Sequence, residues 1–193
     1  MKNIEIEIRI FLETDAPLDE WLKLKAINKG KKFQHDIYFE PITNPFIKID
    51  KNGFKDADEW LRVRILKESG ELCYKKWHRN KDTNESLYAD EVELKIDDVE
   101  NAKVLLKHLG YHQISEVKKH RESWQFDNFL IEKDIIENLG TFYEFEFKGD
   151  IDNPEYGNDI IFNLLKEIGV INWKIIDRGY PWMQWNNDWR TTQ

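Results

Sequence analysis

The segment Ile4-Glu5-Ile6-Glu7-Ile8-Arg9-Ile10 places isoleucine at every second position and a charge between each pair. Side chains of a strand alternate sides, so this pattern predicts a strand with four isoleucines on one face and Glu5, Glu7 and Arg9 on the other. The same period of two recurs further on. Leu61, Val63 and Ile65 alternate with Arg62 and Arg64. Val92, Leu94 and Ile96 alternate with Glu91, Glu93 and Lys95, and Phe145 and Phe147 with Glu144, Glu146 and Lys148. Lys119 and Arg121 form another basic pair, and Lys75 lies in the strand-like run 72–77. Any one of these reads as the wet face of an antiparallel sheet. As a set they read differently. A surface sheet tends to interleave opposite charges, whereas same-sign pairs gathered on separate strands resemble an anionic site facing a cationic one.

Three helices interrupt the strands. Asp15 and Pro17 start one that puts Leu18, Trp21, Leu22 and Ile27 on one side before Gly30. Asp97 and Glu100 form an acidic capping box for a second, with Ala102, Leu105, Leu106 and Leu109 as its stripe and Gly110 at its stop. The third begins near Asn153-Pro154, carries Ile160, Ile161, Leu164, Leu165 and Ile168, and ends at Gly169. These stripes need an apolar surface, and the uncharged faces of the strands supply it. The charged faces are then left pointing at one another inside a closed or nearly closed barrel with helices packed outside, an α+β architecture.

Composition supports one folded unit. With 193 residues, 40% of them apolar, the chain suffices for one substantial core, so residues 1–193 are read as a single domain with an aromatic-rich tail from about residue 170. Eight tryptophans argue against disorder despite 34% charged residues. A net charge of −8 disfavours nucleic acid and anionic membranes as partners, so an anion needs a local basic lining to be attracted. Cys73 is the only cysteine, which excludes an intrachain disulfide and a multi-thiolate metal site and reads as a small buried hydrophobe. The five histidines show no zinc spacing, and the chain has no glycine-rich phosphate loop or nucleophile elbow. No apolar run is long enough to span a membrane, and the charged N-terminus lacks the apolar core of a signal peptide; a cytoplasmic location is expected.

Charges inside a barrel demand counter-ions or water. Carboxylates beside arginine and lysine fit a divalent ion with a polyphosphate, since hard oxygens suit Mg²⁺ or Mn²⁺ and guanidinium and ammonium groups suit phosphate. An ordered series of motifs then carries a family resemblance. It runs through Glu5-Ile6-Glu7-Ile8-Arg9, Gln34-His35-Asp36-Ile37-Tyr38-Phe39, Glu59-Trp60-Leu61-Arg62-Val63-Arg64, Tyr74-Lys75, Glu91-Val92-Glu93, Lys119-His120-Arg121, Asp134 and residues 140–146. The series resembles the CYTH domains, or triphosphate tunnel metalloenzymes, which include class IV adenylyl cyclases and thiamine triphosphatases.

The resemblance implies an eight-stranded antiparallel tunnel that binds a small-molecule triphosphate with divalent metal, in a monomer or homodimer. It implies Glu5, Glu7, Glu144 and Glu146 as metal-associated catalytic carboxylates and Asp134 as a further catalytic carboxylate, an acidic ligand or a water-positioning group. Arg9, Arg62, Arg64, Lys75, Lys119 and Arg121 would hold the phosphates, with Glu91 and Glu93 lining the tunnel. Trp60, two residues before Arg62 and hence on the charged face, either stacks on an organic part of the substrate or packs as a structural tryptophan at the tunnel mouth. Two departures stand out: Arg9 replaces the usual lysine, and Ala89 stands where many relatives carry arginine. Three functions share this lining. They are a triphosphatase on inorganic, thiamine or nucleoside triphosphate, an adenylyl cyclase, and a non-catalytic polyphosphate-binding module.

Overall fold

The computed structural model describes residues 4–14, 16–50, 52–67 and 69–190. In chain order these form β1 (Ile4–Leu12), α1 (Ala16–Lys25), β2 (Ile27–Pro41), a small hairpin of β3 (Lys48–Ile49) and β4 (Lys55–Asp56), β5 (Glu59–Ile65), β6 (Gly70–Arg79) and β7 (Ser86–Ile96). They continue with α2 (Val99–His108), β8 (Tyr111–Phe126), β9 (Phe129–Ile136), β10 (Gly140–Phe147), a 3₁₀ turn (Pro154–Tyr156), α3 (Gly157–Ile168), β11 (Trp173–Ile175) and α4 (Tyr180–Trp185).

The strands run β10-β9-β8-β2-β5-β6-β7-β1, and β1 pairs back onto β10 from Ile6↔Phe147 to Phe11↔Phe142. Every pairing is antiparallel, so the eight strands close into the expected barrel without a free edge. β11 adds to β1 at Ile10–Leu12. Alternation along β1 sends Ile6, Ile8 and Ile10 outward into a core shared with Leu18 and Leu22 of α1, Ile161, Leu164 and Leu165 of α3, and Trp124, Ile131, Tyr143 and Phe145 of the wall. The start of α3 lies so close to β1 that a Cβ on Gly157 would fall 2.5 Å from Ile6 Cγ2. α2 covers a second patch through Leu106 against Ile37, Phe39 and Val63.

A third apolar cluster has no counterpart outside the barrel. Tyr38, Trp60, Val117, Ile136 and Phe142 from the wall meet Ile176, Tyr180, Trp182, Met183 and Trp189 from the C-terminal segment. The aromatic tail is thus packed against inward-facing residues at one end of the barrel.

Two helix boundaries differ from the sequence reading. α1 stops at Lys25, and Ile27, expected on its apolar side, is exposed in β2, which pairs with β8 from Ile27↔Gln125 onward; Gly30 sits at a bulge in that strand with φ 103°. Sheet pairing overrides the stop signal there. Asp15, the expected first cap, lies outside the described residues. The cap of α2 is Asp98, whose side chain accepts from Asn101 N, one residue later than expected. Its stripe is also narrower, because Leu105 and Leu109 face solvent and only Leu106 is buried. The third helix opens with the 3₁₀ turn capped by Asn153 and ends at Gly169 in the left-handed region, as its sequence predicts.

Candidate active site

Because side chains alternate, the face opposite the isoleucines of β1 lines a cavity of about 1110 Å³. Glu5, Glu7, Arg9, Trp60, Arg62, Arg64, Lys75, Glu91, Glu93, Lys119, Arg121, Glu144 and Glu146 all border it. The register explains their meeting. Arg9 sits opposite Glu144 and Glu7 opposite Glu146 across β1 and β10, Trp60 opposite Lys75 across β5 and β6, and Arg121 opposite Asp134 across β8 and β9.

The carboxylates of this lining, together with Asp134, which lies buried behind it, fall into two kinds. Glu144 and Asp134 are tied to cations. Arg9 donates to Glu144 Oε1 through Nε at 2.8 Å and Nη2 at 2.5 Å, and Arg121 Nη2 donates to Glu144 Oε2. Asp134 is fully buried; it receives Arg121 Nε at 2.6 Å on Oδ1, and Lys119 Nζ at 2.7 Å, Arg121 Nη2 at 2.5 Å and the Tyr180 hydroxyl at 2.8 Å on Oδ2. Burial alone raises both pKa values. Arg121 and Arg9 overcome it for Glu144, and Arg121 and Lys119 for Asp134, so both carboxyls are held below their usual range.

Glu5, Glu7 and Glu146 are the other kind. Lys75 Nζ lies 2.5 Å from Glu5 Oε2 and 2.8 Å from Glu7 Oε1, Arg9 is 3.9 Å from Glu7, and Lys148 donates to Glu146. Burial and then repulsion from Glu5 raise Glu7, and the same two causes push Glu146 up to about 8. Lys75 responds in the opposite sense: burial works against its charge, but Glu5 and Glu7 more than offset it and raise the ammonium. Negative charge at this end therefore exceeds what the nearby side chains neutralise. Hard oxygen donors in that condition suit a divalent cation.

The cations also differ in how tightly they are held. Arg64 is bound bidentately by Asp36 at 2.7 and 2.9 Å, and Arg64, Arg62 and Lys119 keep Asp36 ionised against its burial. Arg62 has no such clamp. Its nearest carboxylates are Glu93 at 3.7 Å, Glu91 at 3.9 Å and Asp36 at 4.0 Å, and its buried Nε has no hydrogen-bond partner. A guanidinium that borders the cavity and has its nearest carboxylate 3.7 Å away is suited to an incoming anion. Lys119 is lowered by burial and by Arg121, and binds Asp134 as its carboxylate partner.

Trp60 is on the inner face but only 7% exposed, with its ring stacked on Trp185 at 5.8 Å and edge-on to Tyr38 at 5.7 Å. The other aromatic rings of the lining are likewise engaged. Trp77 carries Lys75, Phe54 meets Trp182, Phe162 stacks on Trp173, and Tyr180 lies beneath Arg9. Cys73 also faces inward. Its thiol donates to Glu91 Oε1 at 3.2 Å and is pushed up to about 12 by burial, although Arg62 opposes this. Cys73, Glu91 and Glu93 place their donor atoms within 4.8 Å of one another.

Sequence reasoning left four residues of the site without a role. Asp36 shares the inward period of Gln34 and Tyr38, and Glu132, which accepts from Arg121 and from Ser123 Oγ at 2.8 Å, stands two residues before Asp134. Both were readable from strand alternation. Arg178 and Tyr180 come from the tail, whose crowded tryptophans suggest packing over the barrel or a cap on one mouth but do not say which of its side chains reach the charged lining.

The CYTH domain family matches residues 3–180. A Methanocaldococcus jannaschii protein named "Putative adenylate cyclase" is 30% identical over 181 residues, or 92% of this chain and 96% of that protein. A Pyrococcus horikoshii structure superimposes with a TM-score of 0.70 at 26% identity, covering 92% of this chain and 97% of that one. A Hippeastrum structure described as a "putative adenylyl cyclase" with dominant triphosphatase activity shares the fold, with a TM-score of 0.61 at 18% identity over 91% of this chain and 92% of that one. No helix among the described residues is long and apolar enough to cross a membrane.

Proposed function

We propose that this chain, which belongs to the CYTH domain family, is a divalent-metal-dependent triphosphatase that cleaves the terminal phosphoanhydride of inorganic triphosphate in its tunnel. Members of the family are triphosphatases or adenylyl cyclases. The observation that carries the reading is the division of one cavity into an under-neutralised carboxylate group, Glu5, Glu7 and Glu146, and a cation group in which Arg62 comes no nearer than 3.7 Å to its carboxylate neighbours.

Glu5, Glu7 and Glu146 would hold Mg²⁺ or Mn²⁺. When bound, the ion would neutralise charge on the phosphates and acidify a water. Arg62, Arg64, Lys119 and Arg121 would bind non-bridging oxygens. Asp36, Asp134 and Glu144 would keep those cations in place while remaining ionised. Water attacks the terminal phosphorus, the bridging P–O bond breaks, and orthophosphate and pyrophosphate leave. Inorganic triphosphate is favoured over thiamine or nucleoside triphosphates because the rings bordering the cavity, Trp60 included, already have a ring or cation against them. The Hippeastrum protein with dominant triphosphatase activity supports hydrolysis.

The second reading is an adenylyl cyclase, favoured by the name of the Methanocaldococcus relative. There the ribose 3′ hydroxyl would attack the α phosphorus and pyrophosphate would leave. The test incubates purified protein with Mg²⁺ or Mn²⁺ and, separately, inorganic triphosphate, thiamine triphosphate and ATP, with chromatography of the products. Orthophosphate formed fastest from inorganic triphosphate is expected. Cyclic AMP with pyrophosphate from ATP would replace hydrolysis by cyclisation, and binding without any product would make the tunnel a polyphosphate-binding module.

A further inference from the structure

The tail does more at its end of the barrel than fill space. Tyr180 is 3% exposed, and its ring packs edge-on to Phe142 at 5.4 Å as part of the apolar cluster. Two other features of the same residue have nothing to do with apolar packing. Its ring lies under two cations of the lining, 4.2 Å from Arg9 Cζ and 5.0 Å from Lys119 Nζ. Its hydroxyl donates to Asp134 Oδ2 at 2.8 Å, the oxygen that also receives Lys119 and Arg121. Two residues earlier, the Arg178 carbonyl accepts from Arg9 Nη1 at 2.7 Å, and Arg178 is itself fixed by Asp56 at 3.0 Å and Asp177 at 2.7 Å.

We propose that Tyr180 is a positioning residue for anion binding: its hydroxyl fixes Asp134, its ring supports Arg9 and Lys119, and the C-terminal segment thereby sets the cation wall of the tunnel. The benefit rests on reading the tunnel as a triphosphate site. A cation can be held in a buried place by a carboxylate, which also cancels its charge, or by a π face and a carbonyl dipole, which leave most of the charge available. Arg9 and Lys119 each have one close carboxylate, Glu144 and Asp134 respectively, and the tail adds the Tyr180 ring beneath both and the Arg178 carbonyl on Arg9. The phenol also completes the set of donors around Asp134. With Arg121 Nε on one oxygen and Lys119, Arg121 Nη2 and Tyr180 on the other, this carboxylate has four donors and little freedom to turn. A phenylalanine would fill the apolar cluster equally well, so the hydroxyl is the part of Tyr180 that packing alone does not require.

Tyr180→Phe removes the hydroxyl and keeps the ring, and Tyr180→Leu removes both. Two readouts separate positioning from the triphosphate reading. The first needs no ligand: NMR of the arginine Nε–H and lysine side-chain signals in the full-length protein. Tyr180→Phe is expected to move the Arg121 and Lys119 signals and to leave Arg62 in place. Tyr180→Leu is expected to move Arg9 as well, since it loses the ring beneath it. The second is calorimetry with inorganic triphosphate and Mn²⁺. Loss of a hydrogen bond to a buried charged group predicts an affinity about three- to tenfold weaker for Tyr180→Phe, with the leucine variant weaker again and the phenylalanine restoring part of the loss. Unchanged Arg121 and Lys119 signals in the phenylalanine variant overturn the positioning role, even if the leucine variant fails to fold. Shifted signals in a protein that binds no triphosphate leave Tyr180 a positioning residue and overturn the reading of the tunnel instead.

Discussion

Arg62 and Arg64 are two residues apart on one strand and point the same way, yet their surroundings predict different consequences for their loss. Arg64 is paired bidentately with buried Asp36, so Arg64→Ala strands a buried carboxylate and is expected to cost about 3–5 kcal/mol of stability. Arg62 is only one of the charges that keep Asp36 ionised and makes no bidentate pair, so Arg62→Ala is expected to lower the urea midpoint less than Arg64→Ala and to weaken triphosphate binding by about 1.5–3 kcal/mol, the range for a hydrogen bond to a charged group. Denaturation and calorimetry on both variants check this; equal stability losses would mean that Arg62 is clamped as Arg64 is. The carboxylates give a pH prediction. Glu146 is pushed up to about 8 by burial and by Glu5, above its value in the unfolded chain. Its contribution to stability is therefore fully present below the unfolded pKa and is lost as pH rises through about 8. A divalent ion relieves that loss and meets less competition from protons at high pH. The rise in Tm on adding Mn²⁺ is expected to be larger at pH 8.5 than at pH 6. Equal rises at both would place the ion elsewhere.

Among the elements, the strands were the most legible. Ile6, Ile8 and Ile10 against Glu5, Glu7 and Arg9 fix both faces of β1, because a period of two has only two registers and one of them buries the isoleucines. The helices were read less well at their ends. Ile27 and Gly30 look like the close of a helix, but the backbone there finds its partners in β8, a long-range pairing that no local pattern encodes. Leu105 and Leu109 continue a helical stripe, yet both face solvent and Leu106 alone of the three is buried against the wall. Trp60 shows the same limit within the site. Alternation correctly puts it on the inner face, but only the tertiary fold reveals Trp185, 125 positions later, against its ring. The contact of α3 with β1 can be tested directly. A methyl group on Gly157 meets Ile6 at 2.5 Å, and Ile6 is buried with little room to give, so Gly157→Ala is expected to destabilise the protein by about 1–3 kcal/mol. A urea midpoint equal to that of the wild type would show that α3 shifts at no cost.

For the whole molecule, the fold turns an ordinary two-faced sheet inside out. Helices take the apolar faces, the tail covers inward-facing apolar residues at one end, and the closed ring directs the charged residues into a shared cavity, where each carboxylate and cation must be compensated by a neighbour or by a ligand. Asp36, Asp134 and Glu144 are compensated by their arginines and Lys119; Glu5, Glu7 and Glu146 are compensated in part. That difference is the central claim about function, and one assay tests it most directly. Orthophosphate release from inorganic triphosphate is measured across a Mn²⁺ titration for the wild-type protein and for Glu7→Gln. The account predicts turnover by the wild type that vanishes without the ion, and loss of that turnover in a Glu7→Gln protein whose Tm is at least as high as that of the wild type, because a buried and unfavourable charge has been removed. Wild-type turnover by Glu7→Gln at limiting Mn²⁺ would contradict it.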